Sequence, residues 1–206
     1  MSAERSMVSS IFGWVRYIYD WVLHWADSPY GVPALIILAF TEASFFPVPP
    51  DLLLIALAVS LPKKAFKYAL YCTLASVAGA FLGYAIGFYF YDMAGKAIIE
   101  FYGISEQFNF VAQKYNENAF SAIAIAGFTP IPFKVFTIAA GVFDVSITEL
   151  FTASLLSRGA RFFFVAGLIY RFGPTIKVYI DKYFNKLALL LVVLLIIGFG
   201  ALKYIF

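Results

Sequence analysis

The chain has 206 residues, of which 63% are hydrophobic and only 13% charged, with a mean hydropathy of +0.86. A soluble domain is about half apolar and a quarter charged, so this composition excludes a water-covered surface and places the chain in a bilayer. The net charge of +3 is too small to indicate a nucleic-acid partner, and a single cysteine, Cys72, excludes an intrachain disulfide.

Residues 1–10 are polar, with Glu4 and Arg5, and lack the basic flank, apolar block and cleavage site of a signal peptide. The N-terminus is therefore expected to be retained. Residues 11–25 interleave Ile11, Phe12, Val15, Ile18, Tyr19 and Val22 with Arg16, Asp20 and His24, and carry Trp14, Trp21 and Trp25. That pattern predicts an amphipathic helix lying in the membrane interface, and residues 1–30 form a first unit. His24 falls among its polar positions and reads as interfacial rather than catalytic.

The membrane core is predicted over residues 31–186. Residues 32–61 are apolar but broken at Pro47-Val48-Pro49-Pro50-Asp51. Residues 66–91 form an unbroken apolar stretch long enough to span, with Gly79, Gly83 and Gly87 on one face for close helix packing. Residues 92–118 are polar and mixed in charge, which suits amphipathic surface helices. Cys72 reads as a small apolar residue inside the spanning helix.

Residues 119–142 are again apolar and again broken, at Pro130-Ile131-Pro132. Residues 147–170 are apolar apart from Arg158 and Arg161, residues 171–186 are basic, and residues 187–206 predict a final transmembrane helix. Proline lacks an N–H and clashes with the preceding turn, so each Pro-x-Pro pair interrupts its helix.

The two halves repeat. Phe45-Phe46-Pro47-Val48-Pro49-Pro50-Asp51 resembles Phe128-Thr129-Pro130-Ile131-Pro132-Phe133-Lys134, with an acid and a base at matching places. Downstream, residues 76–80 and 85–87 resemble residues 156–160 and 165–167. Two broken segments in corresponding halves point to a substrate site in a membrane transporter.

Charge placement orients them. If both broken segments are re-entrant, Lys63, Lys64 and Lys67 share a side with Arg171, Lys177, Lys182 and Lys186, as the positive-inside rule demands. One spanning helix between them then makes the hairpins enter from opposite faces. The predicted fold is an all-α polytopic membrane protein, an inverted repeat of re-entrant hairpin plus transmembrane helix. Its N-terminus and basic loops would be cytoplasmic.

Glu42, Asp51, Lys134, Arg158 and Arg161 stand within apolar sequence. Each costs about 2.5–3.5 kcal/mol at mid-bilayer on insertion scales, so they are expected to face the bundle interior or water. Asp51 has two readings, a cap for the amides of Leu53 or Leu54 or a functional acid. Lys134 is a poor N-cap at the matching place, which favours function. Arg158 and Arg161 lie three apart on one helical face. They suit either a phosphate or salt bridges to Glu42 and Asp51. Helices restarting near Leu52 and Phe133 would aim N–H groups at the centre and favour an anion. Desolvation favours the protonated form of Glu42, making it a candidate proton acceptor.

No Walker loop, metal-ligand cluster or Ser/His/Asp arrangement is present in the sequence, so no metal, cofactor or enzymatic activity is expected.

Over residues 34–172 the chain resembles the DedA superfamily, also called VTT-domain or SNARE-associated proteins, and within it the YqaA-like branch. The resemblance rests on Glu42-x-x-x-Phe46-Pro47-x-Pro49-x-Asp51, on Phe128-x-Pro130-x-Pro132-x-Lys134 leading to Ala140-Gly141, and on the basic helix after it. It implies two facing re-entrant hairpins in a bacterial inner-membrane protein. It further implies movement of lipids between leaflets, notably undecaprenyl phosphate, with the proton-motive force implicated.

The resemblance also carries essential carboxylates onto Glu42 and Asp51. The family places arginines around the second proline motif. This chain has Gly127 at the earlier place and Lys134 for the later one, so Arg158 and Arg161 are candidates to supply the missing cation. The expected function is a lipid-phosphate translocase with Lys134, Arg158 and Arg161 on the headgroup and Glu42 and Asp51 gating or taking protons. Its partners are membrane lipids, a polyprenyl phosphate or phospholipid, with a homo-oligomer left open. The alternatives are a proton-coupled transporter of small ions or drugs and a non-transporting scaffold.

Overall fold

The computed structural model describes residues 30–173. The predicted interfacial helix and final transmembrane helix lie outside the described residues. Within them every regular element is helical. The first half comprises α1 (Gly31–Glu42), α2 (Asp51–Ser60), a short 3-10 turn (Pro62–Lys64) and α3 (Ala65–Phe90). A π turn (Tyr91–Gly95) leads into α4 (Lys96–Tyr102) and α5 (Ser105–Glu117). The second half comprises α6 (Ala119–Phe128), α7 (Phe133–Val142) and α8 (Ile147–Phe172). The breaks fall at the predicted prolines, and α3 and α8 begin and end within two residues of expectation.

Each break is built by the backbone. At the end of α1 the amides of Ser44, Phe45 and Phe46 all turn back onto the Thr41 carbonyl, at 3.1, 2.8 and 2.8 Å. The next amide donors in a continued helix would come from residues 47–50, and Pro47, Pro49 and Pro50 have no N–H. The chain therefore cannot resume until α2, whose first bond joins the Leu54 amide to the Pro50 carbonyl at 2.9 Å. In the second half Thr129 is extended, at φ −84 and ψ 168, because a residue preceding proline is pushed out of the helical region.

Helices α3 and α8 run antiparallel. Phe66 of α3 lies against Phe163 and Tyr170 of α8, Thr73 against Gly159, and Phe81 against Phe151. Both are 26 residues long, about 39 Å at 1.5 Å per residue and longer than the hydrocarbon core. The helices Pro62–Tyr102 and Ile147–Phe172 are long and apolar enough to cross a membrane.

Close packing of the short helices on α3 depends on glycine. A Cβ on Gly79 would collide with the Phe40 carbonyl of α1, and one on Gly87 with the Ile138 carbonyl of α7. Gly141 of α7 answers in kind, lying against the Tyr84 carbonyl of α3. The glycines of α8 behave differently. Gly159 meets only the Thr73 methyl at 3.7 Å, and Gly167 meets nothing within 4 Å. The sequence match of residues 76–87 to 156–167 therefore does not extend to packing. The face of α8 that meets α2 carries Phe162, Ala166 and Ile169 instead.

The short helices extend from the middle of the bundle to its two ends. Asp51 at the start of α2 reaches mid-α8 through Arg161, and α2 ends one residue before the 3-10 turn that opens α3. Lys134 at the start of α7 reaches Phe46, and α7 ends where Asp144 meets Tyr84, late in α3. Two apolar clusters result. One gathers Leu35, Leu54, Ala69, Phe162 and Ala166, the other Ile123, Phe133, Phe136, Leu150 and Ala153. Along α8, Arg158 lies between them.

Candidate functional site

All five ionisable residues singled out in the sequence gather around the two breaks and the middle of α8. Arg158 NH2 donates to Glu42 Oε2 at 2.9 Å, and both side chains are buried, at 3% and 11% exposure. Arg161 grips Asp51 with a parallel fork, Nε to Oδ1 at 3.0 Å and NH2 to Oδ2 at 2.9 Å. Its NH1 donates to the Thr129 carbonyl at 2.6 Å. Arg161 thus joins the loop of the first half to that of the second.

Asp51 is a first-turn residue of α2 and makes no capping bond; Pro50 holds the cap position. The capping reading of Asp51 is thus not the one observed: its carboxylate instead pairs with Arg161. The arginines are likewise paired with Glu42 and Asp51, as one of their two readings expected. Both arginines sit on one face of α8, three residues apart, so a single helix delivers two cations to two carboxylates.

Lys134 differs from them. Its ammonium donates to the Phe46 carbonyl at 3.1 Å and pairs with no carboxylate among the described residues. Phe46 and Thr129 hold equivalent places, each just before the first proline of its loop. In a continued helix these carbonyls would accept from residues 50 and 133. Residue 50 is proline and 133 starts a new helix, so both oxygens are freed, and each is met by a cation. A carbonyl left without a donor would cost about 1–3 kcal/mol, which explains why a lysine and an arginine point at backbone.

Neutral neighbours complete the site. The guanidinium of Arg158 lies 4.1 Å from the centroid of the Phe133 ring, and Phe133 is wholly buried. A cation over an aromatic face gains electrostatically, more so when desolvated. Arg158 Nε is buried and has no hydrogen-bond partner among the described residues. Thr137 Oγ1 donates to the Ala43 carbonyl at 2.9 Å, holding the two breaks together beside Gly83.

Sequence reasoning missed Phe133 and Thr137. Phe133 immediately follows Pro132, and a bulky aromatic at a helix restart was the available signal.

Residues 46–171 match the VTT domain. The chain belongs to the VTT-domain family, the domain of the DedA superfamily. The match spans both proline loops and both arginines of this VTT-domain protein. It is similar to an uncharacterized protein of Haemophilus influenzae, 36% identical over 186 residues, which cover 90% of this chain and 96% of the relative. It is also similar to an uncharacterized protein of Histophilus somni, 32% identical over 151 residues, covering 73% and 78% respectively. No solved structure matches the VTT-domain protein. Family membership and its apolar helices make it a membrane protein.

Proposed function

We infer that the protein carries a phosphate-bearing lipid, of the undecaprenyl phosphate or phospholipid kind, between the leaflets of a bacterial inner membrane. In this reading α1–α2 and α6–α7 are re-entrant hairpins of an inverted repeat, and their tips form the headgroup site. One observation carries it: carboxylates of the first hairpin, arginines of α8 and the lysine of the second hairpin converge midway along the spanning helices. Ionisable groups at that depth are costly and mark substrate or proton pathways.

Charge distribution supports the orientation. Lys63, Lys64, Lys67 and Arg171 gather at one end of α3 and α8, whereas Asp144 and Glu149 lie at the other. In this reading the basic end is the cytoplasmic one, in keeping with the positive-inside rule.

The cycle follows from the pairs. With no substrate, Glu42 and Asp51 hold the two arginines. An incoming phosphate meets Lys134 first, since no carboxylate among the described residues holds that base, and then draws on the guanidinium forks, which suit a bidentate anion. Protonation of Glu42 or Asp51 releases each arginine. The acyl or isoprenoid tail stays in lipid throughout, which avoids exposing apolar surface to water. The chemistry is non-covalent, so the protein acts as a transporter and not as an enzyme.

The test is a leaflet-exposure assay for undecaprenyl phosphate in cells depleted of this protein and of redundant homologues. Altered exposure is expected, and unchanged exposure overturns the reading. The completeness of the Asp51–Arg161 fork favours a second reading, a scaffold whose charges are structural. It predicts that Lys134→Met retains full function.

A further inference from the structure

The bases at one end of the bundle form a second site, apart from the hairpin tips. The antiparallel course of α3 and α8 brings Arg171, in the last turn of α8, to the opening of α3, where Lys63, Lys64 and Lys67 stand. All four are exposed. None pairs with a carboxylate among the described residues. The ammonium of Lys67 lies 5.7 Å from the Tyr71 ring centroid. At the far end, by contrast, Lys96 and Lys114 are neutralised by Asp92 and Glu117.

This arrangement works against the isolated protein. Three lysines crowd the amide end of a long helix, where the backbone dipole is already positive and acids are the favoured neighbours. The Arg171 charge adds to theirs. A surface of one sign, with no counter-charge among the described residues, is complementary to an external anion.

The adjoining side chains say where that anion lies. Phe66 and Tyr170 pack together at 5.3 Å directly beside the bases and remain 42% and 55% exposed. Below them Leu70, Leu74 and Phe163 continue an exposed apolar wall. Aromatic rings between a basic rim and an apolar wall mark the headgroup level of a bilayer.

We propose that Lys63, Lys64, Lys67 and Arg171 form a docking patch for the anionic headgroups of glycerophospholipids in the leaflet around the protein. The patch holds non-transported lipid and fixes the depth of the α3–α8 pair. It rests on the chain spanning a bilayer, not on the transport reading, because it uses no residue of the hairpin tips.

The experiment is native mass spectrometry of the full-length protein in detergent, with phosphatidylglycerol and phosphatidylcholine in competition. Preference for phosphatidylglycerol is expected, falling about fivefold per neutralised base in the Lys63→Gln, Lys64→Gln, Lys67→Gln series. Arg171→Gln should add a similar loss, whereas Lys96→Gln and Lys114→Gln at the opposite end should change nothing. Inorganic phosphate at the same concentration should not displace the lipid.

Equal binding of the two lipids overturns the proposal, as does a preference that survives the triple substitution. A preference abolished by Lys134→Met and untouched by the lysine series would assign the lipid to the hairpin tips and overturn it equally. Failure of the leaflet-exposure assay leaves this outcome unaffected, so the two readings stand or fall separately.

Discussion

Asp51 and Lys134 occupy the same place in their loops, four residues after the first proline, yet they do not pair with each other. Asp51 is held by Arg161 of α8, and Lys134 by the Phe46 carbonyl of the opposite loop. The repeat therefore supplies equivalent positions with opposite charge, and α8 supplies the counter-charge for only one of them. Lys134 is left as the base that an incoming anion can reach without first breaking an ion pair.

Lys134→Met should fold. It removes one exposed hydrogen bond to a carbonyl, a loss of about 1 kcal/mol, while lipid-phosphate exposure should fall to the level of depleted cells. Thermal unfolding of the purified variant in detergent, and the leaflet assay in depleted cells that express it, check the two halves of this expectation.

Arg161→Lys should destabilise more than its conserved charge suggests. A lysine keeps the cation but cannot present a planar fork to Asp51 while also reaching Thr129. A loss of about 1.5–3 kcal/mol is expected, the range for hydrogen bonds to charged groups. Chemical denaturation reads it out.

Glu42 and Arg158 should be strongly coupled. Removing either leaves the other charge buried, at a cost of about 3–5 kcal/mol, whereas removing both is nearly neutral. A double-mutant cycle with Glu42→Leu and Arg158→Met should show the pair losing far less than the sum of its singles. Simple additivity would dissociate the two residues.

Gly87→Ala and Gly141→Ala should each cost about 1–3 kcal/mol, because the new methyl meets a backbone carbonyl that cannot rotate away. Gly167→Ala, with open space around it, should be neutral or stabilise by up to about 1 kcal/mol through helix propensity. Comparing their unfolding midpoints separates packing glycines from the merely small.

Cys72 offers a reporter with no background, since the chain has no other thiol. It is wholly buried, so maleimide should fail to label the resting protein. Asp51→Asn, by loosening Arg161, should raise the labelling rate if water follows the opened pair. An unchanged rate would show that the pair does not seal this region.

The elements were legible in the sequence because their causes are local. Pro47, Pro49, Pro50, Pro130 and Pro132 each remove a backbone donor where they stand, and the apolar runs of α3 and α8 carry their lengths with them. The five charged residues stood out for the same reason. Their partners did not, because pairing depends on three-dimensional register: Asp51 reads equally well as a cap until Arg161 is seen beside it. The glycines of α8 show the converse limit. Gly159 and Gly167 match the spacing of Gly79 and Gly87, but a turn of α8 about its axis presents Phe162 and Ala166 instead. Sequence spacing records which residues share a face, not which face is used.

The freed carbonyls of Phe46 and Thr129 bear on how such a protein changes over evolutionary time. They belong to the main chain, so no point substitution deletes them while the prolines remain. Each is a fixed socket that any donor of suitable reach can plug. A donor far away in the sequence, as Arg161 on α8 is, can therefore fill the same socket as one beside the proline.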